Sequence, residues 1–193
     1  MHSRSVVAVI LIAYSVMCEK SDDGACPIIS RKEWGAVPPK SVKPLEQNPP
    51  LYIVVHHSAS PICTSEDACK RSIRGVQRYH MENRGWEDIG YNFMIGGDGN
   101  IYEGRGWGVH GAHDPRHNAN SLGVCLFGNF EETEPLDVQL EALKKFISCA
   151  ASTNKVKVDY RLIGHKQSKP TLCPGKNLFK IIKTYPHFYD GPN

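Results

Sequence analysis

One histidine and one cysteine near the carboxyl end of the chain have side chains that could share a metal ion. His165 and Cys173 lie eight residues apart in the stretch YRLIGHKQSKPTLCPG, where Pro170 and Pro174 exclude a regular helix. Because prolines and a glycine favour a bend, this segment can bring both side chains to one point. Zn²⁺ is the ion that such a pair predicts, since zinc binds thiolate sulfur and imidazole nitrogen.

A third ligand can come from the stretch VVHHS, which contains His56 and His57. Adjacent residues of a strand point to opposite faces, so only one of the two can share the site, and spacing alone leaves the choice open. Three protein ligands leave the fourth zinc position free for water, the pattern typical of catalytic sites. The alternative is that the residues have separate roles as a core histidine, a loop histidine and a free thiol.

Two other stretches match binding motifs only in part. HDPRH places His113 and His117 four residues apart, but Pro115 interrupts any helix and the glutamate of a zinc-protease motif is missing. GWGVHG matches the glycine spacing of dinucleotide-binding loops, yet a polar loop follows it instead of a helix. We therefore expect neither a zinc site nor a dinucleotide site in these stretches.

Strands and helices alternate along the chain. LYIVVHH and Leu122–Phe127 have the continuous apolar character of buried strands, and GYNFMIGGDGNIYEGRG predicts a hairpin that turns at Asp98-Gly99. YRLIGH predicts a further strand, and three helices are predicted in TSEDACKRSIRGVQRYHMENRG, EPLDVQLEALKKFISCAAS and KNLFKIIKTYPHF. This alternation predicts an α/β fold with a mixed central β-sheet flanked by helices.

The first 18 residues have the pattern of a secretory signal peptide. Arg4 precedes the apolar run Val6–Met17, which is too short to span a bilayer comfortably, and no later run approaches membrane length. We therefore expect a secreted, extracellular protein with one domain over residues 19–193. A net charge of +3 is too small to predict nucleic-acid binding, and the sequence carries no indication of an oligomeric state.

Cysteines are frequent enough to predict disulfide bonds in an exported chain. Cys63 and Cys69 are close enough for a short bridge, whereas sequence alone leaves open whether Cys26 pairs with Cys149. Cys125 lies in the apolar run SLGVCLFG and is interpreted as a small core residue. Cys173 has no obvious sulfur partner.

Several stretches match one known family in order: VVHHSAS, GWEDIGYNFMIGGDGNIYEGRGW, GAH, SLGVCLFGNF, GHKQ and TLCPG. Together they resemble the peptidoglycan recognition protein family, whose fold is shared with zinc-dependent N-acetylmuramoyl-L-alanine amidases of the phage-lysozyme type. The resemblance runs from ISRKEWGA to YPHF, nearly the whole chain after residue 18. It implies a single amidase-like domain that acts in innate immunity and whose partner is bacterial peptidoglycan.

The resemblance assigns roles to residues around the predicted metal site. It implies that zinc is held by His56, His165 and Cys173, and that Tyr91 and Thr171 take part in catalysis. Cys63–Cys69 matches a disulfide that recurs in the family, and Cys26–Cys149 resembles a second bridge found in some members. Substrate-binding candidates are His80, Trp86, Arg105, Trp107, His113 and Asn118.

Some of these candidates have alternative interpretations. Trp86 could belong to the core, and His80 could be either a groove wall or a hydrogen-bonded core histidine. Arg105 could bind the extra carboxylate of diaminopimelate stems, as in family members that prefer them, or be a solvated hairpin arginine. Gly108-Val109 leaves the stem preference open.

Two functions follow from the resemblance. One is a zinc-dependent amidase that cleaves the bond between the muramic lactyl group and L-alanine. The other is a pattern-recognition protein that binds peptidoglycan without cutting it. Many members that only bind have serine where this chain has Cys173, so the sequence favours the enzyme. A directly bactericidal protein receives little support from the small net charge.

Overall fold

The computed structural model describes residues 26–191, so the predicted signal peptide lies outside the described residues. Six strands form one sheet in the order β1–β4–β3–β5–β2–β6, with bounds β1 Ile28–Ile29, β2 Tyr52–His57, β3 Phe93–Ile95, β4 Ile101–Glu103, β5 Ser121–Leu126 and β6 Arg161–Gly164. Only β3 and β4 pair antiparallel, through the predicted hairpin. The sheet is therefore mixed, as the alternation of elements predicts.

Helices cover both faces of the sheet: α1 Arg31–Trp34, α2 Glu66–Arg78, α3 Asp137–Ser152 and α4 Lys176–Ile182. Ile73 of α2 packs with Met94 and Cys125 on one face. Phe146 of α3 and Leu178 of α4 pack on the other face, where a larger cluster of buried side chains forms most of the core. The predicted α/β fold with a mixed sheet flanked by helices is confirmed.

The helix predicted from TSEDAC onwards is interrupted near its carboxyl end. Ser65 caps α2 by accepting a hydrogen bond from the backbone N–H of Ala68. After Arg78 the chain continues as one π-helical turn over Tyr79–Asn83. Such turns are rare and are frequently found at functional sites. Here the turn carries His80 towards the sheet, where it is buried.

Two disulfide bonds join distant and local parts of the chain. Cys26, which precedes β1, is bonded to Cys149 of α3, and Cys63 is bonded to Cys69 at the start of α2. Among residues 26–191, no helix combines the length and apolar character that crossing a bilayer requires.

Candidate metal centre and adjoining groove

Three side chains from separate segments converge at the carboxyl ends of two neighbouring parallel strands. His56 is near the end of β2, and His165 begins the short 3₁₀ turn that follows β6. Cys173 lies in the loop before α4, and its Sγ is 3.6 Å from Nδ1 of His56. One ligand atom from each residue lies within 4.8 Å of the other two. Two imidazoles and a thiol are a donor set that zinc takes.

His165 provides the clearest indication that a cation fits between these side chains. The residue is buried, and neither ring nitrogen has a hydrogen-bond partner among residues 26–191. A buried polar atom without a partner costs about 1–3 kcal/mol, so such atoms are rare in folded proteins. A cation bound by one of these nitrogens would remove that cost. The chemistry of the residues therefore fits zinc.

Burial keeps the ionisable groups of this site uncharged in the absence of a cation. It lowers the pKa of His165 to about 4, and it lowers the pKa of His56 well below its ordinary value. Burial also raises the pKa of the Cys173 thiol to about 12. Imidazoles bind metals in their neutral form. A thiol binds only after losing its proton, so a cation that binds here would have to displace the proton of Cys173.

The two adjacent histidines of β2 serve opposite faces of the sheet, as the strand geometry requires. His56 faces the candidate metal centre, whereas Nδ1 of His57 accepts a hydrogen bond from the backbone N–H of Phe130 at 3.1 Å. The backbone N–H of His57 nevertheless contributes, because it donates to Sγ of Cys173 at 3.4 Å. Thr171 supports the same loop by accepting from the backbone N–H of Cys173 at 3.2 Å.

Tyr91 borders the candidate metal centre, with its ring 5.3 Å from that of His56. Burial, with a smaller contribution from the neighbouring thiols of Cys125 and Cys173, raises the pKa of the phenol well above its ordinary value. The phenol therefore stays protonated and able to donate. Cys125 is buried as predicted. The strand register pairs Cys125 with His56, so both side chains lie on the same face of the sheet.

Two cavities meet at this site and together form a groove. The first, about 610 Å³ in volume, is lined by the three candidate ligands together with Tyr91, His113 and Thr171. The second, about 680 Å³, is lined by residues of α2 and the following turn, including His80 and Trp86. Both cavities share Tyr91 and Arg84. Sequence reasoning missed Arg84, whose guanidinium lies 6.0 Å from the ring centre of Trp86.

His80 and Trp86 stand together in the wall of the second cavity, with ring centres 4.6 Å apart. Nδ1 of His80 accepts a hydrogen bond from the backbone N–H of Gly90 at 3.0 Å, and burial lowers the pKa of this histidine to about 4. His80 is thus both a hydrogen-bonded core histidine and part of the groove wall. The two interpretations left open by the sequence are both correct.

Three of the substrate-binding candidates do not line either cavity of the groove. Trp107 instead packs against the core on the α3 face, stacked on Phe146 with ring centres 5.3 Å apart. Asn118 accepts hydrogen bonds within its own loop, from the backbone N–H groups of His113 and Asp114. Arg105 donates to the carbonyls of Ile89 and His110. These contacts give all three residues structural roles.

The two histidines of the stretch HDPRH lie in different positions relative to the candidate metal centre. Nδ1 of His113 lies 3.0 Å from Nε2 of His56, directly behind the candidate ligand. His117 is paired with the buried carboxylate of Asp114, and neither belongs to the group of candidate ligands. Asp114 also accepts from Ser168 at 2.8 Å, which joins this loop to the turn that carries His165.

Comparison with known proteins gives a consistent result. Residues 46–176 match the model of the Amidase_2 family, N-acetylmuramoyl-L-alanine amidase. Peptidoglycan-recognition protein 2 of Holotrichia diomphalia is 43% identical over 172 residues, which cover 86% of this chain and 89% of the relative.

Solved structures agree with the sequence matches. Wild-type Drosophila PGRP-LB superposes with a TM-score of 0.82 at 44% identity, covering 84% of this chain and 95% of that one. Peptidoglycan recognition protein-LE in complex with tracheal cytotoxin, a monomeric diaminopimelic acid-type peptidoglycan, has a TM-score of 0.82 at 41% identity and covers 84% and 96%.

Proposed function

The chain belongs to the N-acetylmuramoyl-L-alanine amidase family and, within it, to the peptidoglycan-recognition proteins, and on this premise we propose that it is a zinc-dependent amidase. Its substrate is bacterial peptidoglycan, in which it cleaves the amide between the muramic lactyl group and L-alanine. We propose that it acts outside the cell in innate immunity, because residues 1–18 have the pattern of a signal peptide.

The observation that carries the proposal is the free thiol of Cys173 beside two buried imidazoles. Cys173 and Cys125 are the only described cysteines outside a disulfide bond, and only Cys173 lies within ligand distance of His56 and His165. The ring nitrogens of His165 have no hydrogen-bond partner in the part of the chain that the structure describes. A soft sulfur and two nitrogens in this arrangement favour zinc over the hard cations that prefer oxygen.

Each residue of the site has a role in the proposed reaction. His56, His165 and Cys173 would hold the zinc, which when bound would supply an activated water and polarise the scissile carbonyl. The Tyr91 hydroxyl, protonated across the physiological pH range, donates a hydrogen bond to the carbonyl oxygen as negative charge develops there. Thr171 keeps Cys173 in place by accepting from its backbone N–H.

The groove offers space for a glycan strand and its peptide stem. The cavity beside α2 opens next to Tyr91, so a stem bound there would present its first amide to the candidate metal centre. Trp86 supplies an aromatic surface, and Arg84 is a cation within reach of a stem carboxylate. The complex of the relative with tracheal cytotoxin supports a muropeptide as the ligand of this groove.

The alternative function is a peptidoglycan-binding protein without catalytic activity. The same groove would serve both functions, so muropeptide binding alone does not distinguish them. The three candidate zinc ligands favour the enzyme, because a protein that only binds has no need for a free thiol at position 173.

Mass spectrometry of muropeptides incubated with the protein tests the proposal. We expect release of the intact stem peptide, loss of that release after treatment with a chelator, and its recovery when zinc is added back. Muropeptides that bind to the protein but remain uncut after prolonged incubation with zinc would contradict the amidase and support the alternative.

A further inference from the structure

His56 makes two different contacts through its two ring nitrogens. Nδ1 faces Sγ of Cys173 at 3.6 Å, and Nε2 faces Nδ1 of His113 at 3.0 Å. A neutral imidazole carries one proton, and the nitrogen that binds a metal must be the one without it. A zinc ligand at Nδ1 therefore requires the proton on Nε2, where it is donated to His113.

The hydrogen bonds beyond His113 indicate the same direction of donation. With its Nδ1 acting as acceptor, His113 carries its proton on Nε2, which lies 3.3 Å from Oγ of Ser121. The Ser121 hydroxyl donates in turn to the backbone carbonyl of His117 at 2.6 Å. Because a carbonyl can only accept, the Ser121 hydroxyl must use its proton there and must accept from His113. This fixes the direction of donation through all three hydrogen bonds, from His56 to His113 to Ser121.

The imidazole of His113 is held firmly in this position. Gly111 and Gly123 lie against its ring, and a Cβ atom at either position would overlap ring atoms. The backbone N–H of His113 donates to Oδ1 of Asn118 at 2.8 Å. The residue is 8% exposed, so little of it is available for contact with a substrate.

We propose that His113 is a positioning residue that holds His56 in the tautomer with Nδ1 free for zinc, and that Ser121 orients His113 for this role. The sequence resemblance instead implies a substrate contact for His113. Partners of this kind orient a metal-binding histidine, and their loss commonly reduces metal affinity about 10- to 100-fold. The inference rests on the proposed zinc site, but the two can fail separately.

The tautomer can be measured directly in the zinc-free protein. In ¹⁵N NMR spectra at neutral pH we expect the His56 and His113 rings each to carry their proton on Nε2. A proton on Nδ1 of His56 would overturn the inference. Because this measurement needs no metal, it gives an answer even if the parent protein binds no zinc, an outcome that would contradict the proposed function alone.

A set of variants separates hydrogen bonding from packing. His113→Phe keeps a ring between the two glycines but removes the acceptor, whereas His113→Asn keeps an acceptor at the position of Nδ1. We expect His113→Phe to lower zinc affinity about 10- to 100-fold in competition with a chromogenic chelator, and to alter the visible absorption of bound cobalt. His113→Asn should bind zinc with an affinity within about threefold of that of the parent, because the hydrogen-bond acceptor for His56 is kept.

Two further variants complete the test. Ser121→Ala should lower zinc affinity by a smaller factor than His113→Phe does. It provides a second test of the inference if His113→Phe does not fold. His187→Asn removes an imidazole that stacks on Tyr160 and should leave zinc affinity unchanged. Equal zinc affinity for His113→Phe and the parent would overturn the inference. So would equal losses in His113→Phe and His113→Asn, which would indicate packing alone.

Discussion

Sulfur and oxygen differ greatly as zinc ligands, and residue 173 is where this chain has a sulfur. Cys173→Ser changes one atom in a loop whose backbone is held by Thr171, so we expect the fold to remain. Loss of a residue that only orients a ligand commonly lowers metal affinity by up to about 100-fold. Zinc affinity should fall by more than this in Cys173→Ser, because a ligand itself is lost. Release of stem peptide should become undetectable by mass spectrometry, while muropeptide binding in calorimetry persists.

Cys125→Ala is the matched control for this substitution, since Cys125 is the other free cysteine among the described residues. It should still bind one zinc per molecule in elemental analysis. Stem-peptide release by Cys173→Ser at the parent rate would exclude the proposed role of the thiol.

Tyr91 acts on a different step, because its hydroxyl is a hydrogen-bond donor and does not belong to the candidate ligands. Tyr91→Phe should reduce kcat by about 100- to 1,000-fold, as the loss of one donor to a developing oxyanion commonly does. KM and zinc content should change little, since the aromatic ring remains beside His56. Steady-state kinetics on a defined muropeptide, together with elemental analysis, measure both. A large loss of zinc from this variant would show that Tyr91 supports the metal instead.

Among the secondary-structure elements, β5 shows how a strand can be adapted to a site. Gly123 pairs with Val54 in the centre of the sheet, where a glycine is normally unfavourable. Its missing side chain makes room for the ring of His113. We expect Gly123→Ala to displace that ring and to lower both zinc affinity and the free energy of unfolding, the latter by about 1–3 kcal/mol as for other overpacked cores. Chelator competition and denaturant unfolding measure the two effects.

Gly75→Ala provides the comparison for this strand substitution. Gly75 lies inside α2, and a Cβ atom there would meet nothing within 4 Å. Because alanine is the better helix former, this variant should gain about 0.5–1 kcal/mol in the free energy of unfolding. If Gly123→Ala were as stable as the parent, the close fit between β5 and His113 would have no energetic importance.

Elements with strong periodic patterns were predictable, whereas contacts between loops were not. The apolar run of β2 and the Asp98-Gly99 turn predicted a strand and a hairpin that the structure contains. The π-helical turn at Tyr79 was missed, because nothing in the side-chain pattern distinguishes it from the end of α2. Trp107 illustrates a different difficulty, since the sequence did not indicate that its ring stacks on Phe146 on the α3 face of the sheet.

The candidate metal centre was predictable only in part from its own residues. Spacing indicated that His165 and Cys173 could meet, but strand geometry left His56 and His57 as equal choices. That choice depends on which face of β2 is turned towards the loop of Cys173, a property of the folded sheet. The resemblance to a family supplied what the spacing could not. The hydrogen bond between His56 and His113 depends on loop geometry that no sequence pattern reveals.

At the scale of the whole molecule, the two disulfide bonds of the described residues should contribute differently to stability and to ligand binding. Cys26–Cys149 joins the start of the sheet's edge strand to α3 across a separation of 123 residues. Cys63–Cys69 spans 6 residues and lies in the wall of the groove. Closing a long loop restricts the unfolded chain more than closing a short one, so the long bridge should contribute more to global stability.

Replacing each pair with alanines tests this division. Loss of Cys26–Cys149 should lower the free energy of unfolding by up to about 5 kcal/mol, and loss of Cys63–Cys69 by up to about 2 kcal/mol, in denaturant titrations. Since Cys63 lines the groove and neither bridge contains a candidate ligand, only the second variant should bind muropeptide more weakly, while both keep one zinc. A larger loss of stability from the short bridge would mean that packing around Cys69, and not restriction of the unfolded chain, determines what these bonds contribute.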